Sequence, residues 1–472
     1  MKTRNPRTGQ EDYEFEACSR NELAAEASRL RTAQIEWEAL GPEMRAAVLL
    51  RFANAIEEAA PSIAMALATD TGRSAVSWIE VQACAGNIRQ WAIRGPELFE
   101  QLDRETRASA TPGIEFVVEY SAHPLFGAIS PWNFPLILSH IDAMPALIAG
   151  CAALVKPSEI TPRFVEPMQE LLAQVPELPL AYILGGPDVG QALIEEVDYV
   201  CFTGSTATGR KVAEAAARRL IPANLELGGK DPMIISGNAE PAWAAKVALR
   251  ASIVATGQAC QSIERVFVDR SISQSFLTAL VSEAEAVQLT YPNPNEGHIG
   301  PFILPSQAAK VQAHIDDAVA GGARILSGGQ IEDLDGGIYL RPTVLADVNP
   351  GMAVMRKETF GPVIPVTIFD DLDVAIEQAN DTAYGLSAAV LAGSLEEATQ
   401  IGSRLDAGAI SLQDGGLTTM VGEAANQSRK ASGLGPSRMG DSAMLRFLRE
   451  RAMIRQTGHT LPIEAYAEGQ RG

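Results

Sequence analysis

Two side chains of complementary chemistry stand 34 positions apart in this chain: the carboxyl of Glu226, in Glu226-Leu227-Gly228-Gly229-Lys230, and the thiol of Cys260, in Gly257-Gln258-Ala259-Cys260. A thiolate is a strong nucleophile and a carboxylate can take a proton from water, so the pair can build and then hydrolyse a covalent thioester. The glycines after Glu226 let backbone approach a ligand closely, and the residues before Cys260 are small or amide-bearing, which leaves room for a substrate carbonyl. A lone cysteine is by default a small buried hydrophobe. The pair therefore gains its meaning from the residues that accompany it.

A possible oxyanion donor precedes it. The short apolar strand Phe126-Gly-Ala-Ile-Ser130 runs into Pro131-Trp132-Asn133-Phe134-Pro135. Prolines on both sides restrain the backbone of Asn133, whose amide can donate to a developing oxyanion or serve as an ordinary turn asparagine. The apolar stretch 151–155 then ends in Lys156-Pro157-Ser158-Glu159. At the carboxyl end of a parallel strand, Lys156 and Glu159 can grip a ribose diol; elsewhere they form a solvated pair. Tyr199-Val-Cys-Phe202 leads into the Gly-rich turn Thr203-Gly204-Ser205-Thr206-Ala207-Thr208-Gly209. Such a turn presents backbone N–H groups and a helix N-terminus to a phosphate. Arg210 and Lys211 replace the Lys-Ser/Thr of a P-loop, and G-x-G-x-x-G is absent. Downstream, Glu358-Thr-Phe360-Gly-Pro-Val363 offers a carboxylate and an aromatic face, suited to a nicotinamide and its ribose or to a plain loop.

The elements that must position these groups follow from periodicity. Apolar residues from 21 to about 102 recur at three and four, the pattern of amphipathic helices. Gly113 to Tyr120 is β-branched and partly alternating, a strand that needs a partner. From Phe126 to Ile235 short strands alternate with helical segments (136–148, 189–196), predicting a doubly wound parallel sheet, and a second α/β unit follows Cys260 with helices at 273–286 and 307–320. A helix is expected over 442–455, before a polar tail. At 472 residues the chain has room for two or three domains. Its five cysteines form no CxxC pair and no histidine stands at zinc-finger spacing, so neither a disulfide framework nor a metal site is expected. A net charge of −20 disfavours nucleic acid and anionic membranes as partners. The polar start, Met1 to Glu11, has no apolar h-region, and the longest strongly apolar run, Ala143 to Val155, is too short for a bilayer. A soluble cytoplasmic protein is expected.

Taken together, Pro131-Trp-Asn-Phe-Pro135, Lys156-Pro-Ser-Glu159, Phe202-Thr-Gly-Ser205, Glu226-Leu-Gly-Gly-Lys230, Gly257-Gln-Ala-Cys260 and Glu358-Thr-Phe-Gly-Pro-Val363 resemble the aldehyde dehydrogenase superfamily of the hydrolytic, NAD(P)-dependent type, in the family's order and over nearly the whole chain. The resemblance implies that Cys260 attacks the aldehyde carbon, that Asn133 and the Cys260 N–H hold the oxyanion, and that Glu226 activates the hydrolytic water. It implies cofactor contacts from Ser130, Trp132, Lys156, Ser158, Glu159, Gly186, Gly204, Ser205, Leu227, Glu358 and Phe360. Leu138, Ile141, Ala259 and Gln261 would line the substrate tunnel. None is charged, so a neutral aliphatic or aromatic aldehyde is expected. Glu159 facing a 2′-hydroxyl would repel a 2′-phosphate, favouring NAD over NADP. The implied fold is a Rossmann-like doubly wound cofactor domain (1–102 and 122–227), an α/β catalytic domain (228–440), and a β oligomerisation arm with the C-terminal segment (103–121 and 441–472), assembled as a homodimer or homotetramer.

Three segments depart from the family pattern: Ile141-Asp142, where a positive site is common; Gln413, where an Asn usually follows the strand; and Ala425-Asn426-Gln427-Ser428, in place of Pro-Phe-Gly-Gly. They are expected around the substrate. Two other functions compete: a CoA-acylating dehydrogenase, which characteristically lacks the glutamate that Glu226 supplies, and an inactive relative acting as a binding protein.

Overall fold

The structure, a computed structural model, describes residues 1–466, 468 and 469. The remaining residues of the polar tail, 467 and 470–472, lie outside the described residues.

A six-stranded sheet holds the amino-terminal half. Its spatial order is Gly433–Leu434, Ala223–Glu226, Tyr199–Thr203, Leu125–Ile129, Ala152–Lys156, Leu180–Tyr182. All pairings are parallel except that of the edge strand Gly433–Leu434. The strands are apolar runs because helices cover both faces: every residue of Ala152–Lys156 and Tyr199–Thr203 is buried. Leu23, Ala27 and Leu30 of the helix Arg20–Ala39 pack on one face with Leu193 and Val212. Phe52, Ile56, Ile88 and Ile148 pack on the other. A reciprocal cap starts the helix Arg20–Ala39, with Ser19 accepting from the Glu22 N–H and the Glu22 carboxylate accepting from the Ser19 N–H. Leu125–Ile129 and Tyr199–Thr203 are adjacent in space though two strands intervene in sequence. Between their carboxyl ends the crossovers part to opposite faces and leave a crevice.

A seven-stranded sheet forms the second α/β unit, in the order Arg324–Ser327, Thr343–Ala346, Val363–Phe369, Ile263–Asp269, Asp231–Ile235, Ser387–Leu391, Ala409–Leu412. Only Arg324–Ser327 runs antiparallel to its neighbour. Four residues, 227–230, connect the last parallel strand of the first sheet to Asp231–Ile235 of the second. The predicted lone strand spans Ile114–Ala122 and pairs antiparallel with Leu448–Gln456 over nine residues, with Arg107–Ala108 on its other side. This is the β arm.

Two expectations need correction. The helix predicted over 442–455 is one turn, Ser442–Leu445, followed by the strand Leu448–Gln456; pairing with Ile114–Ala122 overrides the local helical spacing of Leu445, Leu448 and Ala452. The helical segment 136–148 is two short helices, Ile137–His140 and Ala143–Ala149, interrupted at Ile141-Asp142. The polar start is a hairpin, Lys2–Arg4 with Glu11–Glu14, tied down where Arg163 bonds both Asp12 and the buried Asp70. Among the described residues no helix is long and apolar enough to cross a membrane.

Candidate active site

The two sheets meet around a cleft of about 670 Å³, its open mouth included, lined by Trp132, Asn133, Leu138, Thr203, Gly204, Ser205, Leu227, Cys260, Glu358 and Phe360, and also by Gln307 and Lys310. Each arrives from a predictable place. Trp132 and Asn133 follow the strand Leu125–Ile129, Gly204 and Ser205 follow Tyr199–Thr203, Leu227 follows Ala223–Glu226, and Cys260 immediately precedes Ile263–Asp269. The carboxyl end of one sheet thus faces the amino end of two strands of the other.

Cys260 is delivered by a turn of unusual backbone. Ala255, Thr256 and Gly257 all have positive φ (54°, 63° and 67°), which costs on the order of 1–3 kcal/mol at each non-glycine residue. The Thr256 hydroxyl donates to the Gly300 carbonyl at 3.0 Å and helps to hold the turn. The thiol is half-buried, and its pKa is pushed up to about 12 by desolvation and by Asp231, Glu358 and Glu226. Free of ligand, it rests protonated. Its backbone N–H has no acceptor among the described residues. Asn133 is buried beside it and donates from Nδ2 to the Gln258 carbonyl at 3.0 Å, while Arg73 donates to the Asn133 carbonyl. An amide has two N–H donors, so the second remains for an oxygen in the cleft.

Glu226 ends its strand immediately before Leu227 of the cleft lining and is not itself among the lining residues. Burial raises its pKa, against the opposing effects of Arg438 and of Ser428, whose hydroxyl donates to Oε2 at 2.6 Å. Glu358, raised to about 7 chiefly by burial, accepts from the Gly229 N–H at 3.3 Å. Trp132 and Phe360 meet edge to face, with ring centroids 5.5 Å apart. Phe360 has φ of 59° and is fixed by Glu264, which accepts from the Thr359 and Phe360 N–H groups at 2.8 and 2.7 Å. Gln307 donates to the carbonyls of the same two residues at 2.7 and 3.1 Å.

The other expected cofactor residues extend along the same sheet end. Lys156 is buried, with Nζ 3.1 Å from Glu159, and Gly186 caps the helix Pro187–Glu196 beside it. The Ser158 hydroxyl accepts from the Ile160 N–H at 3.3 Å. Ser205 caps the 14-residue helix Thr206–Arg219, whose first-turn N–H groups have no intrahelical acceptors. These donors fit a dinucleotide: a helix N-terminus for pyrophosphate, a Lys–Glu pair for a ribose, and a Glu358–Phe360 wall at the cysteine. Ser130 differs, since its hydroxyl turns inward to Ser139 at 2.7 Å.

Among the expected tunnel residues, Leu138 lines the cleft. Ile141, Ala259 and Gln261 stand outside its lining, with Gln261 accepting from the Thr418 hydroxyl at 2.8 Å. Asp142 is not at the substrate: it is buried between Arg438 and Arg446, where two cations hold its pKa low despite desolvation. Gln413 also faces elsewhere, exchanging two 2.9 Å hydrogen bonds with the backbone of Ala392 and so extending the sheet edge. Ser428 alone of the departures hydrogen-bonds to Glu226.

The aldehyde dehydrogenase family profile matches residues 1–453. This chain belongs to the aldehyde dehydrogenase family. It is 36% identical over 446 residues to a Mycolicibacterium smegmatis protein provisionally named succinate-semialdehyde dehydrogenase [NADP(+)], covering 93% of this chain and 86% of that one. A solved structure from Anabaena variabilis, provisionally named an aldehyde dehydrogenase, superposes with a TM-score of 0.94 at 46% identity and 98% coverage of both chains. The Staphylococcus aureus betaine aldehyde dehydrogenase, solved in complex with NAD+, superposes with a TM-score of 0.89 at 28% identity, covering 98% of this chain and 92% of that one. As an aldehyde dehydrogenase, the protein is an enzyme that uses NAD(P) to oxidise an aldehyde through a cysteine-bound thiohemiacetal and thioester.

The sequence did not single out Gln307, Lys310 or Glu264, and it marked Ser428 only as part of a departing segment. Glu264 left a signal, since it and the adjacent Arg265 are charged residues in a buried parallel strand. Gln307 and Lys310 share a face of the helix Pro305–Ala320 by their spacing of three, which any surface helix also shows.

Proposed function

We propose that the enzyme oxidises a neutral aliphatic or aromatic aldehyde to its carboxylic acid, with NAD in preference to NADP and water as the acyl acceptor. The observation that carries this reading is the convergence of Asn133 and Cys260 on one cleft, with Glu226 next to Leu227 of its lining and near enough to act on the Cys260 thiol. The Cys260 sulfur bonds to the carbonyl carbon while its proton passes to solvent through the open mouth of the cleft. The free Asn133 N–H and the Cys260 N–H receive the oxyanion. NAD(P), when bound, supplies the hydride acceptor, with Trp132, Leu227, Glu358 and Phe360 to hold its reactive end and Lys156, Glu159, Gly186, Gly204 and Ser205 the rest. The Glu226 carboxylate takes a proton from water as the water oxygen attacks the thioester, and the C–S bond breaks as that proton passes from Glu226 to the sulfur, returning the Cys260 thiol.

A neutral substrate is favoured because three carboxylates, Asp231, Glu358 and Glu226, act on Cys260, while the cation that acts on it, Arg438, is held by Asp142. Glu159 beside Lys156 supports NAD over NADP. The retained Glu226 supports water over coenzyme A, and Cys260, Asn133 and Glu226 together weigh against an inactive binding protein. The β arm supports a homodimer or homotetramer, with domains divided at 1–102 and 122–227, 228–440, and 103–121 with 441–472. Five cysteines without a disulfide suit the reducing cytoplasm.

Absorbance of the reduced cofactor tests the reading, using benzaldehyde, hexanal and succinic semialdehyde with NAD or NADP, each with and without coenzyme A. Turnover of benzaldehyde or hexanal with NAD and no coenzyme A is expected. A preference for the semialdehyde, or acyl-CoA as the main product, overturns the substrate or the acceptor respectively.

A further inference from the structure

The Ser428–Glu226 hydrogen bond comes from the segment that departs from the family pattern, where a glycine would offer no hydroxyl. It is also a built contact. Gly433 pairs in register with Glu226, and a Cβ at Gly433 would lie 2.6 Å from the Ser428 Cβ, so the Ser428 loop is pressed directly onto the strand beside the carboxylate. Below it, Ser432 donates to the Gly228 carbonyl at 2.7 Å and its own carbonyl accepts from the Leu227 N–H at 2.8 Å. The same short segment therefore fixes the backbone after Glu226 and one oxygen of its side chain. Oε1 has no protein partner among the described residues.

We propose that Ser428 is a positioning residue for the deacylating base: its hydroxyl holds Glu226 Oε2 so that the carboxylate stays ionised with Oε1 turned to the water. This rests on the assignment of Glu226 as that base. The chemistry is unchanged by it: water loses a proton to Oε1, its oxygen bonds to the thioester carbon, and the sulfur leaves. A hydrogen bond to the charged form of a carboxylate favours that form. Loss of the hydroxyl lets Glu226 protonate at higher pH and frees its rotamer, and both slow hydrolysis on the acid side. Hydride transfer from the thiohemiacetal does not require the ionised base.

The test is the acyl adduct on Cys260, trapped by acid quench during turnover and read by intact mass, across about pH 6 to 9 in the parent, Ser428→Ala, Ser428→Gly and Ser428→Thr. A hydrogen bond to a charged group is worth roughly 1.5–3 kcal/mol, so a rate loss of about tenfold or more near pH 6 is expected for Ala and Gly. The adduct should accumulate there and clear toward about pH 9, with the acid limb of kcat moved up and the first-turnover hydride rate unchanged. Threonine, which keeps the hydroxyl, should restore the parent profile. An unchanged adduct level and acid limb in both Ala and Gly overturns the proposal, as does a loss that is equal at all pH values. Glu226→Gln separates the underlying assignment: if it still turns over, the base is not Glu226 and both readings fall. If it stalls as the acyl-enzyme while Ser428→Ala behaves as the parent, only the role of Ser428 falls.

Discussion

The Lys230 ammonium lies 2.5 Å from the Glu264 carboxylate, and both side chains are buried. Lys230 ends the connection that begins after Glu226, and Glu264 is the second residue of the strand that follows Cys260, so this pair ties the segment after Glu226 to the segment after Cys260. Lys230 also donates to the Thr359 hydroxyl at 3.0 Å, and Glu264 receives the N–H groups of Thr359 and Phe360, which brings in the cofactor wall. The bridge raises Lys230's pKa against the stronger lowering by burial.

Breaking that pair should damage both the fold and the cofactor site. Removal of one partner from a buried ion pair costs roughly 3–5 kcal/mol. Glu264→Ala is expected to lower the melting temperature and to weaken NAD binding measured by calorimetry. Lys230→Met should destabilise the fold similarly but spare the two N–H groups that Glu264 accepts, so its effect on NAD binding should be smaller.

Cys260 should alkylate slowly in the cofactor-free enzyme. With its pKa near 12, only about one thiol in 10⁵ is ionised at pH 7, and reaction with iodoacetamide should rise about tenfold per pH unit through the neutral range. Because Glu358 raises that pKa, Glu358→Gln should accelerate labelling. Peptide mass spectrometry reads both effects. A plateau in the labelling rate below about pH 8 would contradict a protonated resting thiol.

Glu80 supplies a pH signature in stability. It accepts from the Leu136 and Ile137 N–H groups at 2.7 and 3.0 Å, and burial raises its pKa to about 7. The folded state therefore binds its proton more tightly than the unfolded state, so this stabilising contribution is complete below the unfolded value and is lost as pH rises through about 7. Glu80→Gln has no such proton, and its stability relative to the parent should improve between about pH 4.5 and 7, by up to roughly 3 kcal/mol. Urea denaturation at both ends of that range measures the difference.

The arm should govern assembly. The nine-residue strand Leu448–Gln456 lies at the edge of its sheet with Met453 and Ile454 45% and 71% exposed, and an open strand edge is a pairing surface. Ile454→Lys should reduce the mass seen by light scattering while leaving far-UV circular dichroism unchanged.

Much of this was legible in the sequence because the chemistry sits at strand ends. Apolar runs followed by Asn133, Lys156, Ser205 and Glu226 announce parallel strands opening on a crevice, and the structure puts these residues at carboxyl ends of one sheet. Cys260 could be assigned to the same place only through the resemblance, since nothing local to it points to Glu226. The hidden parts depend on long-range pairing. Asp142 is an ordinary charge until Arg438 and Arg446, 296 and 304 residues later, close around it. Leu448–Gln456 reads as helix until Ile114–Ala122 lies beside it. Ser428 was visible only as a misfit, because its partner is 202 residues away.

The four residues 227–230 carry the chain from Glu226 directly into the sheet that presents Cys260. Gly228 and Gly229 are hemmed in there, with a Cβ reaching to 2.6 Å from Glu358 and 2.8 Å from the Cys260 carbonyl. The span between Glu226 and the sheet that presents Cys260 consequently behaves as a fixed gauge with no slack. One inserted residue would either eject this crowded link or slip Asp231–Ile235 by a position and turn its side chains to the opposite faces. Lineages of this enzyme can therefore lengthen the exposed loop 291–297 freely, but the gap between Glu226 and Asp231 should be among the most length-invariant intervals in the chain.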